Sequence, residues 1–332
     1  MSFGKDLIRS LRITAPAALG ALVVLATAAA AAGTPSPALL VLNKEGTLAI
    51  VDPASGKLVA KVPVGESPHE VAASADGKLA FVTNYGSQTP GRSLSVIDLA
   101  GQKELQRVDL GVLRKPHGVT FFDGKVYFTA ETNKLIGRYD PAANQVDWLL
   151  GTGQNTTHMV LGNKANDQLY TSNIGSDSIT IIDPSTNETV IPVCKGPEGF
   201  DLSPDGKEIW AACSRDGGVA VIDVANKRVT HTFNVQTKRS NRLHFTPDSR
   251  LVLISDLEAG DLVILERATK KELKRIKLGR QPAGILIPPD GSVAYVGVTG
   301  DNNVAVIDLR TFDLKSRLST GTGPDGMAWA VR

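Results

Sequence analysis

The sequence predicts an all-β fold, a seven-bladed β-propeller of four-stranded antiparallel blades. The first observation is a period. Short apolar strands end in an acid at Asp52, Asp98, Asp140, Asp183, Asp223, Glu266 and Asp308, with spacings of 46, 42, 43, 40, 43 and 42 residues, the length of one propeller blade. The second is a recurring Asp-Gly pair between apolar runs, at Asp76-Gly77, Asp123-Gly124, Asp205-Gly206 and Asp290-Gly291. Such pairs mark tight hairpins because both residues tolerate positive φ. The third is composition: 42% hydrophobic but only 5% aromatic residues, with 32 Gly and 18 Pro, suit many short strands joined by turns.

In chain order, residues 1–33 read as an export signal. Lys5, Arg9 and Arg12 form a basic start, Ala15–Ala32 is apolar, and alanines before Gly33 offer small-residue cleavage sites. Ile13–Ala32 has the 20 residues of a membrane anchor, but Pro16 and the Ala-rich composition favour cleavage. The expected location is therefore periplasmic or secreted. Without this segment the chain holds 33 basic and 33 acidic residues. A neutral balance gives no support to nucleic-acid binding or to a membrane contact beyond the signal, and a monomer is expected.

Residues 34–332 form the propeller. Ala38–Asn43, Thr47–Asp52 and Lys57–Pro63 supply strands b, c and d of one blade, and Pro324–Val331 supplies its a strand, so the termini close the ring and remove its open edges. The type blade follows, with a at Pro68–Ser74, b at Leu79–Asn84, c at Ser93–Asp98 and d at Glu104–Leu110. Its b–c loop, Gly86–Arg92, is the longest. Further blades begin near Pro116, Thr157, Pro197, Asn241 and Pro282.

Phe81-Val82-Thr83-Asn84, with Tyr170-Thr171-Ser172-Asn173 as a variant, resembles the motif of the YVTN-repeat seven-bladed propellers, over residues 38–331. The stretch from Pro116-His117-Gly118 through Val126–Glu131 to Tyr139-Asp140-Pro141 is similar to repeats of the streptogramin-lyase propellers. That resemblance implies catalytic histidines around a magnesium site at the funnel, with Pro116-His117-Gly118 as the matching segment. Propeller lactonases of the phosphogluconate pathway are similar in repeat and ring size, but an exported chain would not meet their cytosolic substrate. The fold hosts many activities, so function has to be argued from the site.

Features shared by all blades read as architecture. The acids ending the c strands precede turns such as Pro53–Gly56 and Pro141–Asn144, where a carboxylate accepts local N–H bonds. The basic run Lys270–Lys277 lies on an outer d strand, where lysine discourages edge-to-edge pairing.

Departures from symmetry point to function. Aligning the starts of the a strands gives a collar of Asp325, His69, His117, His158, Glu198, Arg242 and Ala283 around one mouth of the channel. Three of the five histidines in the chain thus fall in register in consecutive blades. Three imidazoles suit a divalent metal ion such as Zn, Cu, Ni or Fe better than magnesium, and neighbouring acids can orient them. His69, His117 and His158 are therefore the candidate metal ligands. Glu198 is the candidate general base, Arg242 the candidate clamp for a carboxylate or phosphate, and Asp325 a further ligand-binding residue. Asn84, Tyr85, Glu131, Asn173 and Asp256, at the ends of b strands, are candidates to shape the pocket. His231 and His244 are out of register and read as structural.

Cys194 and Cys213 lie in one blade, with Cys213 expected opposite Pro197. A disulfide is favoured in an oxidising compartment; free thiols and a Cys-bound metal stay open. Gly321–Gly326 spells a dinucleotide fingerprint, but Pro324 interrupts it and no helix follows. Two functions remain. One is a funnel that binds a small molecule or metal ion, with metal-assisted lyase or lactonase chemistry; the other is a non-catalytic scaffold for a protein partner or for ligand capture.

Overall fold

The computed structural model describes residues 33–165, 167–183 and 185–332. The expected export signal lies outside the described residues, apart from Gly33. Seven four-stranded sheets are formed, each in the order a-b-c-d. The composite blade pairs the last strand, Pro324–Ala330, with Ala38–Asn43 in antiparallel register, Ala38 opposite Ala330 and Leu40 opposite Ala328. Each a strand packs against the a strands of both neighbouring blades, and the ring closes. Blade 1 here means the composite one, and blades 2 to 7 follow in chain order. Among the described residues the helical turns are three 3-10 segments, Glu131–Asn133, Ile174–Ser176 and Thr299–Asp301, and no helix is long and apolar enough to cross a membrane.

The core lies between blades. Phe81, Leu94 and Val96 of blade 2 pack with Val126, Phe128 and Tyr139 of blade 3, which explains why b and c strands read as nearly continuous apolar runs: both faces are covered. The outer d strands alternate and leave Leu105, Leu149 and Leu273 exposed. The acids ending the c strands take local turn bonds, as Asp52 does from Ala54 N (3.1 Å), Asp98 from Ala100 N (2.9 Å) and Asp308 from Arg310 N (2.9 Å). The expected long loop of blade 2 is mostly strand: b runs Leu79–Gly86 and c begins at Pro90.

Every a strand carries a β-bulge at its start. In blade 2 Pro68 pairs with Asn84 and Val71 with Val82, so His69 and Glu70 together face Thr83. The same irregularity recurs in the other six blades. A bulge re-aims side chains, and here it sits at the channel mouth. In four blades a hydroxyl on strand b clips it. Thr83 Oγ1 accepts from Glu70 N (3.2 Å) and donates to His117 O of the next blade (2.6 Å). Thr129 does the same with Gly118 N (2.9 Å) and His158 O (2.7 Å), Ser172 with Met159 N and Glu198 O, and Ser255 with Arg242 N and Ala283 O. One side chain thus fixes the collar backbone of two blades.

Candidate functional site

The bulges place two rings at one mouth, around a funnel of about 590 Å³. The inner ring is the first bulge residue of each blade: Asp325, His69, His117, His158, Glu198, Asn241 and Ala283. This corrects the sequence alignment at blade 6. Ser240 pairs with Asp256, so Asn241 is the register partner of the histidines and Arg242 takes the second bulge position. The outer ring is the residue after each b-strand pairing position, and includes Lys44, Tyr85 and Glu131 in consecutive blades.

The second bulge position is glycine in four blades because the next a strand leaves no room. A Cβ on Gly118 would lie 2.6 Å from His158 O, and one on Gly199 2.6 Å from the Arg242 Cα. Met159 breaks this rule in blade 4, and Glu70 and Arg242 break it in blades 2 and 6. Both are buried, and they form an ion pair between blades 2 and 6, across the channel. Burial opposes the charge on Arg242, but Glu70, Asp325 and Glu198 outweigh it and raise its pKa. The pair bridges blades 2 and 6 beside the funnel that Arg242 lines. It engages Nη2 of Arg242, the residue expected to clamp an anion, with a carboxylate of the chain itself.

The histidines do meet. His69 Nδ1 lies 3.0 Å from His117 Nε2, and the His117 and His158 ring centroids are 3.7 Å apart. His158 Nδ1 lies 2.6 Å from Glu131 Oε1, and Tyr85 Oη donates to Glu131 Oε2 at 2.7 Å. Burial opposes ionisation of Glu131, but the bonds from His158 and Tyr85 prevail and lower its pKa. A carboxylate in that state accepts, so His158 donates to it from Nδ1 and turns Nε2 toward the other side of its ring. His158 Nε2 and His117 Nδ1 are both buried without a hydrogen-bond partner. Burial, with the charge of Lys44 second, pushes His69 down to about 3, and burial with His158 beside it pushes His117 well below its ordinary value. These two imidazoles are neutral at physiological pH.

One donor atom each from His117, Glu131 and His158 lie within 4.8 Å of one another. His69 stands outside this trio. Its Nε2 is 3.3 Å from Lys44 Nζ, and Lys44 also pairs with Asp325 at 2.8 Å. Burial opposes the charge on Asp325, yet Lys44, His69 and Arg242 hold its carboxyl at about 2. Glu198 accepts from Asn241 Nδ2 at 2.7 Å.

Asn84, Asn173 and Asp256 do not line the funnel; they tie loops and neighbouring strands. Asn84 accepts from Gly65 N (2.9 Å) and donates to Ser93 and Ser95; Asn173 donates to Ser178 and Thr180; Asp256 accepts from Lys238 N and Arg239 N. Cys213 occupies the corresponding position of blade 5, opposite Pro197, and is bonded to Cys194 with a Cα–Cα distance of 5.7 Å. Reading the sequence by blade missed Glu70, Asn241 and Lys44. The signal for Glu70 was its place in a column otherwise rich in glycine.

No family model matches the chain. It is 30% identical over 163 residues to the hydrazine synthase subunit beta of Kuenenia stuttgartiensis, covering 40% of this chain and 42% of that protein. It is 25% identical over 184 residues to Antigen Lp49 of Leptospira interrogans serogroup Icterohaemorrhagiae serovar copenhageni, covering 48% and 40%. The chain thus spans about two fifths of the length of these relatives. In three dimensions it superposes on a 6-phosphogluconolactonase-like propeller of Bacteroides fragilis with a TM-score of 0.74 and 17% identity, over 90% of this chain and 99% of that one. Such a likeness shows the seven-bladed fold.

Proposed function

We propose that this chain is an exported, monomeric propeller of the YVTN type whose funnel captures a divalent transition metal ion through His117 and His158, with Glu131 orienting His158 from behind and a small molecule above the ion. The observation that carries the reading is the pair of buried, unpartnered imidazole nitrogens beside an ionised carboxylate. Leaving such atoms without a partner costs about 1–3 kcal/mol each, and a ligand removes that cost. Neutral imidazole is a donor that a borderline metal takes, at about 2.1 Å, and a carboxylate on the far ring nitrogen raises its basicity. Lys44 donates to His69 Nε2, which directs the His69 Nδ1 proton at His117 Nε2. Coordination by His117 Nδ1 needs the opposite tautomer, and Lys44 permits it by staying on Asp325 and leaving His69.

Metal analysis of the purified protein, followed by calorimetric titration of the stripped protein with Zn²⁺, Cu²⁺ and Ni²⁺, tests this. One tight site is expected, lost in His117→Ala and in His158→Ala and kept in His69→Ala. An absence of stoichiometric binding, or unchanged binding in the His117→Ala/His158→Ala double variant, rejects the reading.

Metal-assisted lyase or lactonase chemistry is the second reading, supported by Glu198. Its Oε1 is held by Asn241, and among the described residues Oε2 meets only Arg239, at 3.9 Å. That oxygen would act as the base, and a bound metal would polarise the substrate carbonyl. Turnover of a lactone panel by the parent that survives in Glu198→Gln would count against this role.

A further inference from the structure

The charges lining the funnel are not equally committed. Asp325 is held by Lys44, Glu131 by His158 and Tyr85, Glu198 by Asn241, and Arg242 is consumed by Glu70. Two guanidiniums remain. Among the described residues the guanidinium of Arg215, in the b–c loop of blade 5, meets only Asp177, at 3.9 Å, and its side chain is 57% exposed. That of Arg239, in the loop leading from blade 5 into the a strand of blade 6, meets only Glu198, at 3.9 Å, and its side chain is 51% exposed. Neither distance is a hydrogen bond. The two residues lie on adjacent blades and line the same funnel, on the side away from His69 and His117.

We infer that Arg215 and Arg239 form an oxyanion grip, and that the funnel's ligand is a small organic molecule bearing a carboxylate or phosphate group. Resting on the proposed funnel site, the inference moves the clamp from Arg242 to two residues that sequence alignment did not single out. An arriving anion meets two planar forks able to bind it bidentately at little cost in broken contacts. Its remaining atoms then extend across the funnel toward the unpartnered nitrogens of His117 and His158.

Calorimetric titration of metal-stripped protein in low-salt buffer with inorganic phosphate, succinate and neutral succinamide tests the grip. Phosphate or succinate should bind and succinamide should not, the stronger of the two anions naming the group. Arg215→Ala/Arg239→Ala should weaken binding by about tenfold or more, with Arg215→Lys/Arg239→Lys in between, because lysine keeps the charge without the fork. Both side chains are half-exposed, so the variants should melt with the parent. Binding of neither anion, equal binding of succinamide, or parental affinity in the double alanine variant would overturn the inference. Metal titration of the same samples separates the readings. Loss of metal uptake in His117→Ala/His158→Ala with the anion response intact leaves the grip standing, and metal uptake without an anion response leaves only the metal site.

Discussion

A buried imidazole held neutral makes a fold acid-sensitive well above the carboxylate range, and the collar has two. An unfolded histidine titrates near 6.5, whereas His69 is pushed down to about 3 and His117 lies well below its ordinary value. The unfolded chain therefore binds more protons between these limits. Stability is complete above pH of about 6.5 and falls as pH drops toward 3, by up to about 1.4 kcal/mol per pH unit for each group. Asp325 adds a lower window with the same sign: its carboxyl, held at about 2, contributes stability above its unfolded value of 3.8 that is lost as pH falls toward 2. Urea unfolding of metal-stripped protein at pH 7 and pH 4.5 should show a larger loss in the parent than in His69→Asn/His117→Asn; equal losses would contradict the assignment. At the same scale, Glu131 fixes the tautomer of His158. Glu131→Gln should weaken metal binding by about 10–100-fold, and Tyr85→Phe, which frees only the far oxygen of Glu131, by less. Calorimetry ranks the two, and an unaffected Glu131→Gln would remove Glu131 from the site.

Among the elements, the bulged start of each a strand carries the site, and what holds the bulge is measurable. Thr129→Val keeps the shape but strands Gly118 N and His158 O, and should cost about 1–3 kcal/mol in chemical denaturation. A cost near zero would mean that water or relaxation replaces the clip. Blade 5 has Ala212 where the clip would be, and its Cys194–Cys213 bond instead ties the b strand to the loop before Glu198. Removing that link, which spans 19 residues, by Cys194→Ser/Cys213→Ser should cost about 3 kcal/mol, read as a lowered denaturation midpoint. An unchanged midpoint would show that the bond does not brace the blade. The strands, the number of blades and the closure by the termini are legible in the sequence because Asp-Gly hairpins and c-strand acids recur in period. Register at blade 6 is not. The proline that marks the a strand at Pro68, Pro116, Pro197, Pro282 and Pro324 is replaced there by Ser240, and a one-residue slip moved Arg242 into the wrong ring. Asn84 and Asn173 looked like pocket residues for a related reason: a polar residue ending a b strand serves loop and strand ties as readily as a ligand.

Across the whole molecule, the contact that sequence separation hides best is Glu70 with Arg242, 172 residues apart and on opposite sides of the ring. It became visible only once both were assigned to the second bulge position. Two charges taken out of water there are stable only as a pair. Removing one partner leaves the other buried and uncompensated, so Glu70→Gln and Arg242→Met should each cost about 3–5 kcal/mol. Replacing both, as Glu70→Leu/Arg242→Met, strands no charge and should recover most of that loss, since apolar pairs of similar volume often match buried ion pairs. A double-mutant cycle in urea reads the coupling directly. Single variants as stable as the parent would mean that water already reaches the pair and that the channel is open. If the double variant is stable but takes up metal more weakly, the pair also sets the height of the collar, because Glu70 N is held by Thr83, whose hydroxyl in turn holds the backbone of His117.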